Sequence, residues 1–216
     1  MLVLLLTGCT QVIHDARPHA ASPAAPITQG QVSDLLSDEV HEENRKRKDE
    51  NVDDEDNLFV TVKPEECAGL IQEVDPPFLF DTTPAAHDAG GWFYKDANGY
   101  FSAWEMVAVY PADYDPTAAL EAARRTIESC QNDTLLANAM NRAEKSFHVE
   151  PRPQPEAPEI VLWSIAGSWA CDNALIAAHN AAVEITTCGE TNGNDDVLSL
   201  AQKALERIEA LADMRA

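Results

Sequence analysis

The chain has 216 residues, with 15 Lys+Arg against 37 Asp+Glu and a formal net charge of −22. That length holds one domain with a sizeable core plus tails, and 45% apolar residues mark a folding sequence. So acidic a surface repels phosphate backbones and anionic headgroups, which excludes nucleic acid as an expected partner, while acidity alone specifies no substrate.

The chain opens MLVLLLTGC, and Leu6-Thr7-Gly8-Cys9 fits a bacterial lipobox. Small residues there let the signal peptidase reach the bond before a cysteine that carries diacylglycerol. The apolar run is too short to span a bilayer and has no basic n-region before it. Residues 1–8 are therefore read as the remnant of a lipoprotein signal peptide and Cys9 as the lipidation site. Residues 9–30 are Pro/Ala/polar-rich and read as a flexible tether, and 31–214 as a single domain.

From Gln31 the pattern turns helical, with Val32, Leu35, Leu36 and Val40 at helix spacing, and it fades into RKRK and the acidic NVDDED. Pro64, Glu65 and Glu66 suit a helix start that carries Cys67. The prolines of DPPFLFDTTP leave only short pieces. Next comes a hairpin, Trp92–Lys95 and Tyr100–Tyr110 around an Asn98-Gly99 turn. Pro116 opens a helix with Leu120, Ala123, Ile127 and Cys130 along one side. A strand near Lys145–Val149 precedes the proline-rich loop PRPQPEAP, and EIVLWSIAG reads as a buried strand. The closing helix has Asn194 as a candidate cap and Val197, Ala201, Ala204, Leu205, Ile208 and Leu211 as its apolar face.

Setting Cys9 aside, Cys67, Cys130, Cys171 and Cys188 form an even set with no C-x-x-C spacing, which favours two disulfides in an exported protein over a metal site. If His179-Asn180 is a two-residue hairpin turn, opposed residue numbers sum to 359, as 171 and 188 do. Counting outward from the turn puts these cysteines on a non-hydrogen-bonded pair, where side chains come closest. Cys67 is then left to pair with Cys130. Such links contribute about 3 kcal/mol for the short loop and about 4 kcal/mol for the long one. One hairpin face carries Ala174, Ile176, Val183 and Ile185 and belongs under the last helix; the disulfide face carries Asn173, Leu175, Glu184 and Thr186. Alanine favours helix here, but the cysteine register favours the hairpin. The stretch is read as structural, with no ligand contact assigned to it.

Trp169-Ala-Cys171, Ala174-Leu175, Asn180, Val183 and Cys188 before a closing amphipathic helix resemble the end of the PknH-like extracellular sensor domain. That family comprises the sensor region of mycobacterial receptor kinases and free-standing actinobacterial lipoproteins. Leu35-Leu36-Ser37, Pro64 with Cys67, Val109-Tyr110 and the helix ending at Cys130 are similar too. The resemblance implies an α+β fold: an antiparallel sheet flanked by helices, two disulfides in the pairing above, the closing helix packed on the sheet, and a ligand cleft. It also implies an actinobacterial cell envelope. No kinase Gly-rich loop, H-R-D or D-F-G motif is present, so any signal passes through a separate partner.

No catalytic or metal-binding constellation stands out. His14, His19, His41, His87, His148 and His179 are scattered, and none lies in H-E-x-x-H. Ser168 is not in G-x-S-x-G, and residues 53–58 lack the glycine and spacing of an EF-hand. Trp92, Phe93, Tyr94, Tyr100, Phe101 and Trp104 cluster on one hairpin and are read mainly as core. The expectation is a non-enzymatic, cofactor-free sensor or ligand-binding lipoprotein on the outer face of the cytoplasmic membrane. Its membrane contact would be the lipid anchor, and its partner an unknown small ligand or envelope component. The alternative is an envelope interaction protein that binds cell-wall polymer or a protein through its surface.

Overall fold

The computed structural model describes residues 26–43, 58–96, 99–167, 170–189 and 197–214, with backbone only for 93–96 and 99–100. Among the described residues the strands are β1 Phe59–Lys63, β2 Ala86–Asp96, β3 Gly99–Val109, β4 Thr134–Ala139, β5 Glu144–Pro151, β6 Ile160–Gly167, β7 Ala170–Ala178 and β8 Ala181–Gly189. They form one eight-stranded antiparallel sheet in the order β1-β4-β5-β6-β7-β8-β3-β2. The helices are α1 over 38–43, α2 Pro77–Phe80, α3 Pro116–Cys130 and α4 Val197–Asp213, with 3-10 helices at Gln29–Leu35 and Glu65–Leu70.

The sheet is apolar on two sides at its centre. β4 and β5 alternate buried and exposed residues, as strands with one wet face do, whereas β6 and β7 are buried almost without interruption. One face packs Phe147, Val161, Trp163 and Leu175 against α3, α2 and the 3-10 helix Glu65–Leu70. The other packs Ile160, Ala174, Ile176, Val183 and Ile185 against α4 and the N-terminal helices. Helix α3 is capped by Asp115, whose side chain accepts from the Ala118 N–H, and it buries Leu120, Ala123, Ile127 and Cys130. Helix α4 buries Val197, Ala201, Ala204, Ile208 and Leu211, with Leu205 at the margin.

In the β7–β8 hairpin, Ala178 opposes Ala181 and Cys171 opposes Cys188. The turn residue His179 takes φ 52°, a left-handed conformation that imidazole tolerates better than most side chains. Asn180 does more than turn the chain. Its Nδ2 donates to the Ile27 and Tyr110 carbonyl oxygens, and its Oδ1 accepts from the Ile27 N–H. Ile27 is buried, so the fold begins inside the stretch read as tether, which ended at residue 30 in that reading.

Other sequence expectations need correction. The first helix breaks at Leu36-Ser37: Leu36 is extended, and Leu35, Leu36 and Val40 are buried from two separate short helices. The Cys67 segment is a 3-10 helix that buries Cys67, Ala68, Gly69 and Leu70 in succession. Gly99 already pairs with Asp96 and is a strand residue rather than the second turn residue. Strands β1 and β4 were not anticipated, and β5 runs on to Pro151, the terminal strand position that proline tolerates. Cys9, Asn194, Ser168 and residues 53–57 lie outside the described residues.

A candidate ligand cleft beside the inner disulfide

On the α3 side of the sheet, a cleft of about 120 Å³ opens between the segment 70–76 and strands β3, β7 and β8. Its walls are mostly apolar: Phe59, Leu70, Ile71, Trp104, Met106, Ile165 and the Cys171–Cys188 disulfide. The volume approaches the ~150 Å³ of cavities that admit benzene.

The 70–76 wall is held from four directions. Cys67–Cys130 ties the preceding 3-10 helix to α3, with Cα atoms 6.0 Å apart. The buried Trp163 indole N–H donates to the Leu70 carbonyl at 3.0 Å. The Glu73 N–H donates to the Phe59 carbonyl at 3.0 Å, and the Glu73 carboxylate accepts from the Phe59 N–H at 2.8 Å. Gln72 Nε2 donates to the Val74 and Asp75 carbonyls, which tightens the loop on itself. Across the cleft, Cys171 and Cys188 have Cα atoms 4.1 Å apart, the close spacing of a non-hydrogen-bonded pair. Asn173 and Thr186 are joined by a 2.9 Å hydrogen bond on the same face.

Trp104 closes one side. Its ring lies over Gly91, its opposite residue on β2. A Cβ at Gly91 would come within 2.8 Å of the indole and 2.6 Å of the Ala103 carbonyl oxygen, so only glycine leaves the ring this seat.

Among the polar residues of the cleft, Glu184 is the one with an unpartnered buried oxygen. It sits on β8 between Met106 and Leu175, on the face that carries the disulfide. The residue as a whole is partly exposed, but its Oε2 is closed off from solvent and has no hydrogen-bond partner among the described residues. Loss of hydration pushes its pKa up to about 8, and the nearby Glu73 charge adds to the shift. Glu105, one position from Glu184's β3 neighbour, points its carboxylate to the other face. There it accepts from the Ser37 N–H at 2.7 Å and from Arg207 Nη2 at 3.1 Å.

The cysteine pairs are thus part of the cleft: one forms a wall and the other anchors the opposite rim. The hairpin that the sequence presented as purely structural supplies Cys171, Asn173, Glu184, Thr186 and Cys188 to the lining. The aromatics divide: Phe101 is buried, Trp104 lines the cleft, and Trp92 packs against the α4 face. The described histidines do not converge. His87 meets the Phe80 ring, His148 is exposed, and His179 Nε2 lies 2.9 Å from Glu209. Among the described residues there is no group of three His, Cys, Asp or Glu side chains able to hold a metal ion. No described helix is long and apolar enough to cross a membrane.

A profile of the PknH-like extracellular domain matches residues 18–207. The chain belongs to the PknH-like extracellular domain family. This family is an extracellular sensor domain rather than the catalytic domain of a kinase. The crystal structure of the extracellular domain of PknH from Mycobacterium tuberculosis superposes with a TM-score of 0.66 at 15% identity. The superposition covers 87% of this chain and 99% of that one, and at this identity it establishes the fold alone. CalU16 from Micromonospora echinospora is 11% identical over 59% of this chain and 86% of its own, with a TM-score of 0.27, too low to carry an argument. No curated protein matches the sequence. For a PknH-like extracellular domain, an extracytoplasmic location fits both the family and the disulfides.

Proposed function

We propose that this PknH-like domain is a lipid-anchored extracytoplasmic sensor that binds a small ligand in the cleft beside Cys171–Cys188 and performs no catalysis. One observation carries the reading: a mostly apolar cleft, braced by two disulfides, holds a carboxylate oxygen with no partner among the described residues. A buried polar group without a partner costs free energy, and a site that keeps one supplies what a ligand can satisfy.

The placement of the anchor supports the same reading. Asn180 fixes Ile27, where the tether joins the fold, at the turn end of the β7–β8 hairpin. The cleft residues Asn173 and Thr186 lie six or seven positions along the strands, about 20 Å away at the rise of an extended chain. A domain held to the membrane through Cys9 would thus carry its cleft away from the anchored end. In this reading a signal passes on through a separate membrane partner.

The anchor and the cleft are tested separately. Cys9→Ala should move the protein from the membrane fraction to the medium and abolish incorporation of radiolabelled palmitate. Retention on the membrane without label would remove the lipoprotein part of the proposal. Native mass spectrometry of protein released from its own envelope should show a small adduct that Trp104→Ala loses. Unadducted wild-type protein in repeated preparations would remove the ligand-binding part.

A further inference from the structure

The cleft also specifies what kind of molecule it takes, an inference that rests on the ligand-binding reading above. Three properties of the site bear on the choice. The first is size: about 120 Å³ accommodates one ring or a short branched chain, well below the ~300–1,000 Å³ of sites for drug-sized ligands. The second is the wall, which is mostly apolar, with Gln72, Glu73, Asn173, Glu184 and Thr186 as its polar members. The third is charge. Glu184 has Oε2 unpartnered, and Glu73, whose own carboxylate is engaged by the Phe59 N–H, lines the same cleft.

We infer that the cleft takes a compact amphiphilic cation, an apolar ring or branched chain bearing a protonated amine that donates to the Glu184 carboxylate. A neutral hydroxyl could donate one hydrogen bond, but it would leave the charge of an ionised Glu184 uncompensated. A carboxylic acid would bring a further negative charge to a cleft that Glu184 and Glu73 already line. An ammonium group compensates that charge, and a charge-assisted hydrogen bond in a water-poor site is stronger than a neutral one. The Trp104 face offers an aromatic wall for the cation or its ring. The field of a chain with net charge −22 draws cations and repels anions before contact is made.

A proton balance follows. The titratable groups that interact electrostatically with Glu184 are Glu73, from the rim, and Tyr110, whose pKa is raised by burial, by the stacked Tyr114 and by Glu184. The Glu105 carboxylate is engaged on the opposite face. Near neutral pH Glu184 holds its proton, so amine binding must release it. Affinity then rises with pH up to the Glu184 pKa, provided the amine stays protonated.

Isothermal titration calorimetry of the full chain with three probes of nearly one shape, benzylamine, benzyl alcohol and benzoate, tests this. At about pH 8.5 benzylamine should bind at least about tenfold more tightly than benzyl alcohol, and benzoate should not bind. At about pH 6.5 benzylamine affinity should fall on the order of tenfold, with close to one proton released per ligand in buffers of differing ionisation enthalpy. Glu184→Gln should erase the pH dependence and the amine preference while benzyl alcohol still binds. Equal binding of alcohol and amine, tighter binding of benzoate, or an amine preference that survives in Glu184→Gln overturns the cationic ligand and leaves the cleft standing. Binding of none of the three, with cleft resonances such as the Trp104 indole unmoved, overturns the cleft reading along with it. Proton release is read on the wild-type protein and needs no variant to fold.

Discussion

Glu105 and Glu184 are near neighbours in the sheet, since Met106, the residue after Glu105, pairs directly with Glu184. They face opposite sides and live in opposite circumstances. Glu105 is 1% exposed and fully engaged, with Arg207 and the Ser37 N–H on its two oxygens. Arg207 also donates to the Leu35 carbonyl, so one ion pair fastens α4, the N-terminal 3-10 helix and α1 to the sheet. Glu184, by contrast, faces a cleft with one oxygen unpartnered. A compensated buried charge positions elements; an unpartnered buried carboxyl keeps a site ready for a partner.

The comparison can be broken from either side. The largest loss should come from the rim of the cleft: replacing Cys67 and Cys130 together by alanine should cost about 4 kcal/mol in chemical denaturation, because a long loop is released. Non-reducing peptide maps should contain the Cys67–Cys130 and Cys171–Cys188 crosslinks. Next, Arg207→Met should cost about 2–4 kcal/mol, since it strands the Glu105 carboxylate away from water and frees the Leu35 carbonyl; the partial exposure of Arg207 keeps the loss below that of a fully buried pair.

Glu184→Gln should act in the opposite direction and only at high pH. The folded-state pKa, about 8, lies above the ordinary value of 4.5, so the folded protein holds a proton that the unfolded chain releases. Stability therefore falls as pH rises from about 4.5 to about 8, and the whole penalty is present above that range. The glutamine variant should match wild type near pH 4 and exceed it by about 1–3 kcal/mol near pH 9. The smallest effect belongs to a third carboxylate, Glu209, half-exposed beside His179. His179→Gln should change stability by no more than about 0.5 kcal/mol, as exposed pairs do. A loss of several kcal/mol there would break the rule that burial separates these three acids.

Legibility in the sequence followed the range of the interactions involved. Helices α3 and α4 were readable because their faces repeat locally, and the β7–β8 register because two cysteines and a short turn constrain it. Strand β4, TLLANA, has few strand formers and owes its conformation to pairing with β1 and β5, which no local pattern announces. The cleft was out of reach for the same reason. Its walls come from residues 58–59, 70–76, 89, 104–106, 165 and 171–188, and only the sheet order brings them together. Glu184 could be placed on the disulfide face by alternation. Its burial could not, because that depends on the 70–76 segment crossing above it. The tether boundary failed at Ile27 because a single buried residue, held by a distant asparagine, has no periodicity to reveal it.

The state of the Glu184 carboxyl in the free protein is the most direct test of the cleft. A pH titration of its side-chain carboxyl resonance by ¹³C NMR should give a pKa of about 8, and a saturating cationic amine should bring it down. An ordinary value near 4.5, unmoved by amine, would mean that the carboxylate is already satisfied and that the cleft is not the site described.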